Sequence, residues 1–270
     1  MGQRGRAAAA AAALVLGLAG CSGCSGSGQA AEPDGAETMR RASDVLVRYG
    51  SSQVVTSMEM ASGGTKVSIT GTGGYDFARR RGSLKVTLPA DAAGEPEHQP
   101  ITELLTPAAL YMKNRGEGVP ADKWVRVDTA RLADGNLVTG GVTDPLAAAE
   151  LLRGARGVTY AGQETIAGVR VRHYRGVTDI VRAAKAASAA SRGSLGAAAK
   201  GFSVTRVPFE AYVDEQGRLR RLRQCFTFTD NAEVVSVVSF HGFGSPVSVV
   251  LPEAGDIYRG KIVSAPTPQA

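Results

Sequence analysis

The chain is short of the residues that build most enzyme and metal centres: its 270 residues include only three cysteines and three histidines. Cys21 and Cys24 stand close together near the N-terminus, and Cys225 has no evident mate, so a disulfide framework is excluded as the basis of the fold. A Cys24–Cys225 bridge would restrain a segment with the composition of a loose tether, and Cys225 reads better as a half-buried strand thiol. His98, His173 and His241 fall in a loop and two distant strands and have no metal-ligand spacing. There is no Gly-x-Ser-x-Gly elbow and no Gly-Lys-Ser/Thr phosphate loop, and Gly71-Thr72-Gly73-Gly74 joins strands rather than opening a helix. Carboxylates gather at turns, as in Asp134-Gly135-Asn136 and Asp214-Glu215, where turn chemistry accounts for them. The sequence therefore predicts no catalytic residue, no metal and no cofactor. The apolar run at residues 7–18 is too short for a helix across a bilayer.

That run follows Arg4 and Arg6 and leads to Leu18-Ala19-Gly20-Cys21. A basic start, a short apolar stretch and small residues form the outline of a signal peptide. The last four residues resemble the bacterial lipobox at every position. The resemblance implies cleavage before Cys21 and covalent diacylglycerol on its sulfur. Two or three acyl chains anchor far better than one, because membrane affinity grows with each buried methylene. Cys24 is a weaker candidate, since a cysteine precedes it where the branched apolar residue belongs. Other readings are a secretory signal cut elsewhere and an uncleaved anchor helix.

On this reading residues 1–20 are the lipoprotein signal peptide and residues 21–35 a flexible Gly/Ser-rich tether, too polar to fold alone. Residues 36–253 form the folded domain and 254–270 a C-terminal tail. The expected location is the outer, extracytoplasmic face of the cell membrane. Arg4 and Arg6 contribute to the net charge of +6, so the rest of the chain is mildly basic. That suits an anionic lipid surface and is too diffuse for nucleic acid. Arg79-Arg80-Arg81 and the strand bearing Arg218, Arg220, Arg221 and Arg223 are the marked basic clusters. Such runs are usually solvated faces; the functional reading is that Arg218 and Arg220 contact lipid headgroups or an anionic partner.

Met39, Ala42, Val45, Leu46 and Tyr49 recur at helical spacing, with Asp34 as cap and Gly50 as stop. The period then changes to two. Val54, Met58 and Met60 share one face of a strand, Val67 and Ile69 continue on the next until residues 71–74 interrupt it, and Leu84 and Val86 follow. Short strands are expected at Ile101–Leu105, Leu110–Lys113 and Trp124–Asp128, and Asp144-Pro145 opens a short helix. Further strands are read at 158–163, 169–177, 209–213, 219–228, 234–240 and 247–251, with an alanine-rich helix or lid at 178–200. The sum is an α+β fold: about eleven antiparallel strands in one curved sheet, with helices against its concave face.

Several stretches in this order resemble a known family. They are the lipobox and tether before a helix, Trp124-Val125-Arg126-Val127-Asp128, Asp144-Pro145-Leu146, and Glu164-Thr165-Ile166-Ala167-Gly168-Val169. Val207-Pro208-Phe209-Glu210-Ala211-Tyr212-Val213-Asp214 and the terminal hairpin complete the set. Together they resemble the LolA-like superfamily and, within it, the LppX/LprG-type lipoproteins. The resemblance implies a half-barrel around an apolar cavity with helices as its lid. It also implies a non-enzymatic function, binding acyl chains of lipids, glycolipids or lipoproteins and moving them from a membrane to an acceptor. The longer insertion at 178–200 departs from the family.

The expected cavity lining is Val54, Met58, Met60, Val67, Ile69, Leu84, Val86, Leu110, Met112 and Trp124, the methionines giving a deformable wall. Expected partners are the membrane and a lipid or acylated amphiphile, with a membrane transporter as a further candidate and the chain itself a monomer. An envelope sensor on the same half-barrel and a structural lipoprotein with a closed core are the alternatives.

Overall fold

The structure is a computed structural model, and it describes residues 34–62, 65–89, 99–116, 118–138, 143–228 and 232–260. The proposed signal peptide, Cys21 and nearly all of the tether lie outside these residues. Every described element falls in one compact unit.

Helix α1 (Gly35–Tyr49) starts where the Asp34 carboxylate accepts from the Ala36 N–H at 2.9 Å. It ends at Gly50, whose φ of 82° lies in the region that favours glycine. Its buried stripe includes Met39, Ala42, Val45 and Leu46. Next come β1 (Ser51–Ser62), β2 (Thr65–Asp76), β3 (Arg81–Thr87), β4 (Ile101–Leu105), β5 (Ala109–Lys113) and β6 (Trp124–Asp128). Helix α2 (Pro145–Leu151) is followed by β7 (Ala155–Ile166), β8 (Val169–Asp179), α3 (Ile180–Ala186) and α4 (Arg192–Gly201). The last strands are β9 (Arg206–Asp214), β10 (Leu219–Thr227) and β11 (Glu233–His241).

All eleven strands join one open antiparallel sheet in the order β6-β5-β4-β3-β2-β1-β11-β10-β9-β8-β7. This is the curved half-barrel expected from the sequence. The first and last strands pair at its centre, so the chain must pass from one edge to the other between β6 and β7. Helix α2 lies on that crossing. Its cap is Asp144, which accepts from the Leu146 and Ala147 N–H groups at 2.8 and 3.0 Å. Among the described residues no helix is long and apolar enough to cross a membrane.

Four local expectations are corrected. Residues 247–251 form no strand: β11 is already flanked by β1 and β10, so no ladder is open to them beside it. Gly71-Thr72-Gly73-Gly74 does not interrupt β2, which pairs with β3 through all four residues. A Cβ on Gly73 would sit 2.0 Å from the Ser83 carbonyl oxygen, so glycine there lets the two backbones approach. The alanine-rich segment is two short helices rather than one, broken at residues 187–191. Part of the expected tail belongs to the fold, because Ile257 forms a parallel bridge with Trp124 at the β6 edge and Tyr258 N–H donates to the Trp124 carbonyl at 2.9 Å.

Candidate functional site: a covered concave face

Strand register decides which side chains share a face, because directly opposed residues point the same way. Reading the pairs across the sheet gives a row Val125, Met112, Glu103, Leu84, Gly73, Val54 and Phe240, from β6 through β5, β4, β3, β2 and β1 to β11. A neighbouring row contains Ile101, Val86, Gly71, Thr56, Val238, Leu222 and Ala211. A third pairs Ile69, Met58, Ser236, Gln224 and Phe209. These rows make the concave face.

Two buried clusters fill it. Val54, Ile69, Leu84, Val86, Leu110 and Met112 pack with Met39, Ala42 and Leu46 of α1 and with Leu146, Ala149 and Leu152 from the α2 region. Met58 belongs to the second cluster, with Ile180 and Ala183 of α3, Leu195 and Ala198 of α4, and Phe226. Met60 and Val67 oppose each other at the margin and are partly buried. Met112, at 7% exposure, is the most exposed of the seven fully buried members of the expected lining. A water-sized sphere barely touches these side chains, so the face they form is filled rather than hollow.

Trp124 is not part of this face. Its cross-strand partner is Lys113, whose Nζ lies 5.7 Å from the Trp124 ring centroid, while the inward positions of β6 are Val125 and Val127. Arg218 and Arg220, the expected headgroup contacts, are both engaged within the fold. Arg218 Nε donates to Asp214 at 2.7 Å, and its guanidinium stands 5.1 Å from the Tyr49 ring and 4.9 Å from the Phe243 ring. Arg220 has an 11% exposed side chain, 3.9 Å from Asp214 and 5.4 Å from the Phe243 ring centroid. Asp214, itself fully buried, accepts from the Gln216 and Arg218 N–H groups, so Arg218 ties the β9–β10 turn to Tyr49 at the end of α1 and both arginines tie it to Phe243. The register shift between Leu219 and Arg221 carries this part of β10 out of simple alternation.

The lid is held by short polar links and close backbone contacts. A Cβ on Gly201 of α4 would meet the Ala133 carbonyl at 2.0 Å, so the helix is seated directly on the 132–138 loop. Arg80 donates to the Ser188 hydroxyl between α3 and α4 at 2.9 Å. Beneath this junction lies a polar pocket of about 30 Å³, room for a water or two, bordered by Tyr75, Arg80, Asn136, Asp144, Ser191 and Ser194. The Tyr75 hydroxyl donates to Asp144 at 3.4 Å. Burial raises the Asp144 carboxyl above its ordinary range despite its hydrogen bonds, and burial with the Asp144 charge raises the Tyr75 phenol.

Glu103 is the residue the sequence reading missed. It is fully buried, it opposes Leu84 on one side and Met112 on the other, and neither carboxyl oxygen has a hydrogen-bond partner among the described residues. Burial pushes its pKa to about 8, with the Arg115 charge pulling the other way. The signal was available: an acid at the inward parity of Ile101-Thr102-Glu103-Leu104-Leu105. On the opposite face His173 is stacked 4.3 Å from Tyr212, with Nδ1 3.0 Å from Glu164 and Nε2 3.2 Å from Glu210. Among the described residues no group of three His, Cys, Asp or Glu could hold a metal ion. Cys225 is a free, half-buried thiol raised to about 11 by burial and by Glu233.

No family model matches the chain, and no curated protein matches it. Solved structures do resemble it. Lipoprotein LppX of Mycobacterium tuberculosis is 12% identical with a TM-score of 0.49, over 81% of this chain and 100% of that one. LprF from Mycobacterium bovis is 16% identical with a TM-score of 0.43, over 82% and 97%. A domain of Vibrio parahaemolyticus described as a putative outer membrane lipoprotein-sorting protein is 8% identical with a TM-score of 0.32, over 77% and 92%.

Proposed function

We propose that the protein is a non-enzymatic lipoprotein, lipid-anchored on the outer, extracytoplasmic face of the cell membrane. It binds the acyl part of a lipid, glycolipid or other acylated amphiphile on the concave face and passes it to an acceptor. The observation that carries this reading is the construction of the core. One side is a largely apolar sheet face, and the other is not a second sheet but the N-terminal helix α1 and the short helices α2 to α4. Such a cover can lift without breaking a strand ladder.

Helix α4 buries one large apolar side chain, Leu195, together with Ala198 and Ser194. Exposing Leu195 and Ala198 alone costs about 3 kcal/mol, the Met58 and Phe226 surface they cover adds to it, and the rows at Leu84 and Met112 lie instead under α1 and the α2 region. An open form a few kcal/mol above the closed one is a populated minor state that a ligand can select. Met58 and Met112 then supply an adaptable wall. The lipobox at Cys21 and the Gly/Ser tether support a site kept within reach of a membrane.

The filled face favours one other reading, a structural envelope lipoprotein whose core stays closed. Native mass spectrometry of Pro33–Ala270, purified from its envelope without organic solvent and then offered a lipid extract, separates the two. An added mass of an acyl-bearing lipid is expected. A bare chain that takes up nothing would leave the closed-core reading.

A further inference from the structure

Glu103 has no structural task among the described residues. Every other buried acid does: Asp144 caps α2, Asp214 holds a turn and two arginines, Asp76 accepts from the Arg79 N–H, Asp134 from the Asn136 and Val138 N–H groups, and Glu150 pairs with Arg153. The Glu103 carboxyl stands in the middle of the concave row between Leu84 and Met112, with Ile101 and Leu105 before and after it at the same parity. Two unpartnered buried oxygens are a standing cost that a leucine at that position would avoid. Such a group makes sense where something else completes it.

We infer that Glu103 is the polar recognition group of the acyl site: when α1 and the α2 region move off this row, it hydrogen-bonds a hydroxyl at the root of the ligand's hydrocarbon chain. This rests on the proposed function and adds a substrate class to it, amphiphiles with a hydroxyl beside the chain rather than bare hydrocarbon. The carboxyl can donate and accept, so one hydroxyl satisfies it while Met112, Leu84 and Val54 receive the methylenes. A site built to hydrogen-bond a hydroxyl rejects the analogue lacking it, because its own polar group stays unpaired.

The test is a matched pair, 1-decanol and decane, each displacing a fluorescent fatty-acyl probe from Pro33–Ala270. A purely apolar site prefers the alkane, since an unmatched hydroxyl resists leaving water. Wild type is expected to prefer decanol by about tenfold, E103L to reverse to decane, and E103Q, which keeps donor and acceptor, to retain the alcohol preference. Circular dichroism of both variants confirms that they are folded. A wild type that prefers decane as E103L does would overturn this inference and leave the acyl site standing. A wild type that does not bind the probe at all would overturn both.

Discussion

Replacing Glu103 by glutamine removes a pH dependence whose size follows from the fold. In the folded chain the carboxyl ionises near pH 8 rather than near 4.5, because burial disfavours its charged form and only the Arg115 charge opposes this. Between those values the folded state holds a proton that the unfolded state has released, so stability falls as pH rises through the window and levels off above about 8. At about 1.4 kcal/mol per pH unit the whole fall is roughly 5 kcal/mol, a large part of the stability of a domain this size. Urea unfolding of Pro33–Ala270 at pH 5, 7 and 9 measures it. The difference between wild type and E103Q isolates Glu103, since Asp144 is also raised and is present in both. E103Q should lose most of the fall between pH 5 and 9. If it declines as steeply as wild type, Glu103 is not the buried, unpaired group described above.

Three further outcomes follow from particular contacts. Gly73→Ala puts a methyl against the Ser83 carbonyl at the centre of the sheet and should cost at least about 2 kcal/mol in urea unfolding. Arg218→Ala unties Asp214 from the rings of Tyr49 and Phe243, so it should lower thermal stability while leaving binding to anionic vesicles unchanged in co-sedimentation. A loss of vesicle binding without loss of stability would restore the headgroup role for that arginine. Cys21→Ser should move the protein out of the lipid-modified membrane fraction, and unchanged fractionation would remove the anchor from the account.

The inner face was legible wherever alternation was clean. In β1, β3 and β5 the inward sets Val54, Met58 and Met60, then Leu84 and Val86, then Leu110 and Met112 follow the period of two, and the caps Asp34 and Asp144 announced their helices. Trp124 was misread because β6 has an apolar residue at both parities, and only the pairing of Met112 with Val125 tells which one faces in. What Arg218 and Arg220 pack against was not legible, because the bulge beside Leu219 and the buried Asp214 appear only once β9 and β10 are paired. Glu103 was passed over because an acid in a short strand reads as an outward residue unless its neighbours' register is known. Whether the face is hollow was not written in the sequence at all, since it depends on how the volumes of Met39, Leu46, Leu146 and Leu152 meet the sheet.

The claim at the centre is that this covered face is where an acyl chain goes. A fatty acid carrying a diazirine on its chain, photolysed with the full protein in membranes and mapped by peptide sequencing, tests it most directly. The account expects label in β1 and β5, at or beside Met58 and Met112, and less of it when unlabelled decanol competes. Label confined to outward positions such as Val55 and Val237, or none above background, would contradict it.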